Sequence, residues 1–111
     1  MPRFLVVYNS PVSAREQMAG ATPEQAKAGM EAWMAWAQKA GSAVVDLGTP
    51  LQAAAHISAD GVADGDSQAA GYSILQGDSR DEIDALLEDH PHLHTPGSSI
   101  DVFEALPIPG M

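Results

Sequence analysis

The stretch Arg3-Phe4-Leu5-Val6-Val7-Tyr8 decides the fold. Phe4 to Tyr8 is aromatic and β-branched, which predicts a strand. Alternation puts Phe4, Val6 and Tyr8 on one face and Leu5 and Val7 on the other. Both faces are therefore apolar, and such a strand needs cover on both sides.

Working outward, residues 9 to 21 hold Asn9, Ser10, Pro11 and Gly20 without a strong period, which predicts a loop with a short helical turn near Ala14 to Met18. Thr22-Pro23-Glu24-Gln25 is a helix start, with Thr22 as N-cap, Pro23 at the first helical position and Gln25 completing a capping box. The helix runs to about Ala40, and Gly41 supplies its left-handed end. Ala26, Met30, Trp33, Ala37 and Ala40 share one face at helical spacing, widened by Met34 and Trp36. Ser42 to Leu47 predicts a second strand, with Ala43, Val45 and Leu47 on one face and Val44 and Asp46 on the other. Asp60-Gly61 and Asp64-Gly65 are turn dipeptides, so residues 53 to 70 read as a hairpin or loop insertion. Gly71 to Gln76 predicts a third strong strand. Ser79-Arg80-Asp81-Glu82 is a second capping box, opening a helix that ends near Asp89, before Pro91. Residues 90 to 97 form a His- and Pro-containing loop, and Ser99 to Ala105 the last strand. The tail 106–111 carries two prolines and cannot extend a central strand.

The order β-α-β-β-α-β within one domain, 1–111, predicts an α+β, ferredoxin-like antiparallel sheet with both helices on one face. The other face is apolar and open. A second sheet packed on it, in a two-fold homodimer, is the economical cover.

Of the 111 residues, 15 are acidic and 5 basic, a formal net charge of -10. Such a surface repels phosphate backbones and anionic lipid, so neither nucleic acid nor membrane is an expected partner. The chain has no cysteine, which removes disulfides, thiolate metal sites and a cysteine nucleophile. The N-terminus lacks a signal-peptide pattern, and no apolar run reaches membrane-spanning length. The expectation is a cytoplasmic protein without a cofactor. No phosphate loop, dinucleotide fingerprint, serine elbow or His-Glu-x-x-His is present, so kinase, dehydrogenase, hydrolase and metalloprotease classes lack support.

The residues Gln38-Lys39-Ala40-Gly41, Val62-Ala63-Asp64-Gly65-Asp66, Ala70-Gly71-Tyr72-Ser73-Ile74-Leu75, His90-Pro91-His92-Leu93 and Ile100-Asp101-Val102-Phe103 follow the first strand in an order that resembles the YCII-related domain, in particular its DGPF-type branch. The resemblance spans nearly the whole chain. Where that branch reads Asp-Gly-Pro-Phe, this chain reads Asp64-Gly65-Asp66-Ser67. Near Met30 it also lacks the early helical His proposed as functional in the YCII-type branch. The resemblance implies a dimeric α/β-barrel arrangement with a cleft between helices and sheet.

Asp46 is the first candidate for chemistry. Burial on the Val44 face would raise its pKa toward that of a general acid or base; otherwise it caps the Gly48-Thr49 turn. His90, His92 and His94 alternate, and an extended backbone would turn all three to one side, as a metal site or as a source of one general base. No metal is assigned; His92 and His94 are the candidate bases, and Tyr72 a candidate proton donor. Trp33, Trp36 and Met30 suit the wall of a pocket for a flat apolar ligand, with Trp36 the better candidate because it lies off the core stripe; core packing is the other reading. The function these features suggest is a small cofactor-independent enzyme, of isomerase, lyase or monooxygenase type. It would act by acid–base chemistry on a hydrophobic cyclic or aromatic molecule. The alternative is a non-catalytic binding or interaction dimer.

Overall fold

The computed structural model describes Met1 to Gly110; Met111, the end of the tail 106–111, lies outside the described residues. The order is β1 (Arg3–Asn9), α1 (Ala14–Gly20), α2 (Pro23–Ala40), β2 (Val44–Asp46), β3 (Ala55–Ser58), β4 (Gly61–Asp64), β5 (Ala69–Gln76), α3 (Arg80–Leu87) and β6 (Ser99–Glu104). Strands β2, β5, β1 and β6 form one antiparallel sheet in that spatial order. The strand β5 thus lies between β1 and β2, and β6 adds to the other side of β1, which is the ferredoxin-like α+β arrangement.

The helices cover one face. Phe4, Val6, Tyr8, Trp36, Leu75, Ile83 and Leu87 are buried together there, with Trp33, Val44, Leu47, Ile100 and Val102 packed around them. Trp36 anchors α2 by burying its ring and donating its indole N–H to Leu86 O at 2.8 Å. Truncating a buried ring of this size costs about 3–5 kcal/mol. The helix starts with the expected box: Thr22 Oγ1 accepts from Gln25 N–H, and Gln25 Oε1 accepts from Thr22 N–H. At α3 the box is only half made. Ser79 Oγ accepts from Glu82 N–H, but Glu82 Oε2 accepts from Asp78 N–H instead.

On the opposite face the register lines up Leu5 with Ile74 and Phe103, and Val7 with Tyr72 and Asp101. Leu5, Val45 and Phe103 are exposed there. The hairpin expected within 53–70 forms as β3 and β4, a two-stranded sheet of its own, fully exposed on both strands. Its cross-strand pair Ile57 and Val62 stands 73% and 75% exposed. The molecule is a slab of 46 × 44 × 20 Å with a radius of gyration of 15.5 Å, where a compact chain of this length has about 13 Å.

Gly48 ties the edge strand β2 to β5. Its φ is +82°, and a Cβ there would lie 1.7 Å from the Tyr72 carbonyl oxygen. Gly48→Ala therefore combines a backbone conformation costing ~1–3 kcal/mol with a main-chain clash. We expect urea denaturation of Gly48→Ala to show a loss of about 3 kcal/mol or more, against a gain of up to ~1 kcal/mol for Gly29→Ala, a helix-interior glycine whose Cβ meets nothing within 4 Å.

Candidate active-site cavity

A cavity of about 370 Å³ opens between α1, the first half of α2, the β2–β3 connection and the turn after α3. Tyr8, Gln17, Met18, Met30, Trp33, Leu47, Thr49, Pro50, His92 and Thr95 are among its lining residues. It exists because the N-terminal half of α2 stands off the sheet: residues 23 to 32 are all exposed, and burial begins at Trp33. On the far side α1 closes the space. Gln17 holds the α1 approach by donating its amide to Ser10 Oγ at 2.7 Å and to Val12 O at 2.9 Å.

The floor is Tyr8. Its hydroxyl donates to Ser73 Oγ at 2.8 Å, and Ser73 donates in turn to Leu47 O at 2.6 Å. Burial raises the phenol to about 12, the Ser73 bond acting weakly against it. Tyr8 is thus a fixed wall with its proton committed. Trp33 stands edge-on to it, ring centroids 4.8 Å apart.

The three histidines do not share a side. The backbone is a 3-10 turn over Pro91–His94, not an extended strand, so successive rings fan out. His94 is exposed, and His90 is fully buried. Only His92 reaches the cavity. Among the described residues no three metal-ligating side chains converge. His92 Nε2 lies 2.7 Å from Asn9 O. A carbonyl can only accept, so Nε2 carries the hydrogen, and the neutral ring keeps Nδ1 as its lone-pair nitrogen.

The remaining sequence candidates divide. Met30 and Trp33 line the cavity, whereas Trp36, the favoured wall residue, is 7% exposed and belongs to the core. One helical turn separates the two roles: Trp36 sits where α2 touches the sheet, and Trp33 where it begins to lift away. Asp46 is exposed, not buried. A register shift between Val44 and Asp46 takes it off the Val44 face, and β2 is an edge strand. Its Oδ1 accepts from Gly48 N–H at 2.8 Å, the turn-capping alternative. Tyr72 borders the cavity, yet its neighbours Gly71 and Ser73 are the buried, helix-facing residues of β5. Pleating assigns its ring to the open face, opposite Val7. A proton donor on that side cannot serve the helix-side cavity. Sequence reasoning missed Gln17, Met18 and Thr95, because the segments 9–21 and 90–97 carry no periodicity, and it read Tyr8 as a core residue alone.

No protein-family model matches the chain, and no curated protein matches it. Among solved structures, the chain is similar to 5-chloro-2-hydroxyhydroquinone dehydrochlorinase from Burkholderia phenoliruptrix in complex with 2,5-dihydroxybenzoquinone, at 14% identity over 91% of each chain with a TM-score of 0.48.

His90 makes the molecule sensitive to acid. Its ring is held near 4, below the ordinary 6.5, mainly by burial and further by the nearby His92 and His94. The unfolded chain therefore binds this proton first. Stability from this group is complete above pH 6.5 and is lost as pH falls toward 4. At about 1.4 kcal/mol per unit the loss approaches roughly 3 kcal/mol. Denaturation midpoints at pH 7, 5.5 and 4 should show this slope, and His90→Phe should remove it.

Proposed function

We propose that the chain binds a small, flat, largely apolar molecule in this cavity and abstracts a proton from it, with His92 Nδ1 as the base. The observation that carries this reading is the single imidazole on a lining otherwise of apolar, amide and hydroxyl-bearing residues without a carboxylate or ammonium, its tautomer set by Asn9 O at 2.7 Å. A base held in one tautomer needs no reorientation before proton transfer. Trp33 and Tyr8 offer ring faces and edges to a planar ligand, and Met18 and Met30, both exposed, offer an adaptable mouth. A volume of about 370 Å³ suits one or two fused rings. In the step itself Nδ1 takes the hydrogen of an acidic C–H, the C–H electron pair passes to the adjoining carbonyl as an enolate, and the proton is returned to carbon or to solvent. That lining supports the reading of an acid–base enzyme acting on a cyclic or aromatic compound. A non-catalytic binding module is favoured by one observation: the ring is oriented by a carbonyl and not by a carboxylate that would strengthen it as a base.

β-Tetralone, a flat bicyclic ketone with acidic benzylic hydrogens, separates the two. The proposal expects the protein to accelerate deuterium uptake at that carbon in D2O. His92→Gln should cut the acceleration by about 10²-fold or more, with Trp33 fluorescence still quenched by the ligand. Quenching without accelerated exchange would leave the binding module; neither effect would remove the site.

We also propose a YCII-related homodimer joined through the open sheet face. The accessible surface is 7699 Å², and a compact monomer of 11.6 kDa has about 5,800 Å². The excess matches the area that each partner buries in a large homodimer interface, about 1,000 Å² or more. A two-fold axis would set Leu5 and Phe103 of one protomer against the same face of its partner. Light scattering at micromolar concentration should give about twice 11.6 kDa, and Phe103→Lys should shift it toward the single-chain mass. A wild-type monomer would contradict the pairing.

A further inference from the structure

The buried ring of His90 has no part in the cavity, yet it is bonded to the residue that does. Its side chain is 0% exposed. Tyr8 stacks on it at 4.8 Å and 30°, and Trp33 and Trp36 stand across it, each at 4.4 Å in T-shaped arrangements. His90 Nδ1 accepts the backbone N–H of His92 at 3.0 Å, so His90 is the N-cap of the 3-10 turn that carries the base. Accepting at Nδ1 leaves the hydrogen on Nε2. That nitrogen has no hydrogen-bond partner among the described residues. The ring itself is packed against the indoles of Trp33 and Trp36. An ordinary cap of this kind is Ser, Asp or Asn. Here an imidazole does the same work, and its acceptor nitrogen is also its basic one.

We infer that His90 is the positioning residue for His92 and an acid-labile cap: when its ring is protonated, both nitrogens become donors, the bond to His92 N–H is lost, and the turn bearing the proposed base is released. The surroundings give the cation no counter-charge. From β1 it meets the Tyr8 hydroxyl-bearing ring, from α2 only Trp33 and Trp36, from the end of α3 Leu87, whose carbonyl receives the His90 backbone N–H, and from its own turn His92 and His94, which repel a positive charge. No carboxylate pairs with it among the described residues. Placing a charge there without a partner is costly, so the turn opens and does not hold the cation. The assignment of a catalytic consequence rests on the reading of His92 as the base; the capping itself does not.

Two readouts keep these apart. The first is hydrogen-exchange protection of the His92 backbone amide, measured by NMR in wild type, His90→Asn and His90→Phe. In wild type, protection should be substantial at pH 7 and fall at least about tenfold between pH 6.5 and 4. Asn keeps a capping oxygen without a titrating ring, so its His92 protection should not follow that fall. Phe keeps a ring without an acceptor, so protection should already be low at pH 7. A wild-type amide that stays protected down to pH 4, or one that His90→Phe leaves protected, overturns the inference, and the wild-type series needs no variant to fold. The second readout is β-tetralone exchange. His90→Phe should lower the turnover while leaving ligand affinity within about twofold, and His90→Asn should recover part of the loss. If exchange ignores His92→Gln while the amide results hold, the cap stands and the base does not.

Discussion

The Tyr8 hydroxyl donates to Ser73, Ser73 donates to Leu47 O, and the Tyr8 ring is clasped by Trp33, His90 and His92. Through this one side chain the central strand fixes the β5 strand, the end of β2, helix α2 and the His-bearing turn at once. A phenol buried without its acceptor would leave a polar atom uncompensated at a cost of about 1–3 kcal/mol. The Ser73–Leu47 relay avoids this, and it also sets the position of Leu47 and Gly48 on the cavity's wall. The same ring that completes the core is the floor of the site, so folding and site formation depend on one contact set.

What this cluster does not do is complete a globule. Residues 23 to 32 of α2 are all exposed, the sheet's second face carries Leu5, Val45 and Phe103 in the open, and the hairpin pairs Ile57 with Val62 in solvent. A two-stranded hairpin of this kind is marginal by itself. The thin core and the extended shape share one cause: a single four-stranded sheet with helices on one side, whose apolar residues divide between two faces.

The sequence was informative wherever structure is set locally. Phe4 to Tyr8 had to be a central strand because both of its faces are apolar, and Thr22 with Gln25 had to begin a helix because the two side chains satisfy each other's backbone. Gly41 ends that helix at the expected position with a positive φ of +58°, but its ψ of −126° is not that of the left-handed helical residue expected. The site was less legible, since its geometry comes from departures from regular periods. Asp46 left its face through a one-residue irregularity in β2, which no composition signals. His90, His92 and His94 looked coplanar only for an extended chain; Pro91 in the first position of a 3-10 turn makes them diverge, one into the core, one into the cavity and one to water. Trp33 and Trp36 exchanged their expected roles because helical periodicity gives a stripe but not the point along it where the helix leaves the sheet. Tyr8 read as core and is core; that its ring also floors a cavity depends on α1, whose segment carries no strong pattern.

The most direct test of the central claim is the tautomer of His92, read by long-range proton–nitrogen correlation NMR on the uniformly labelled protein at pH 7.5. The account predicts a neutral ring with the hydrogen on Nε2 and a bare Nδ1, and a shift of the Nδ1 resonance when β-tetralone is added. A hydrogen on Nδ1, with Nε2 bare, would contradict it, because the basic nitrogen would then be the one turned to Asn9 O and Nδ1 could not take a proton.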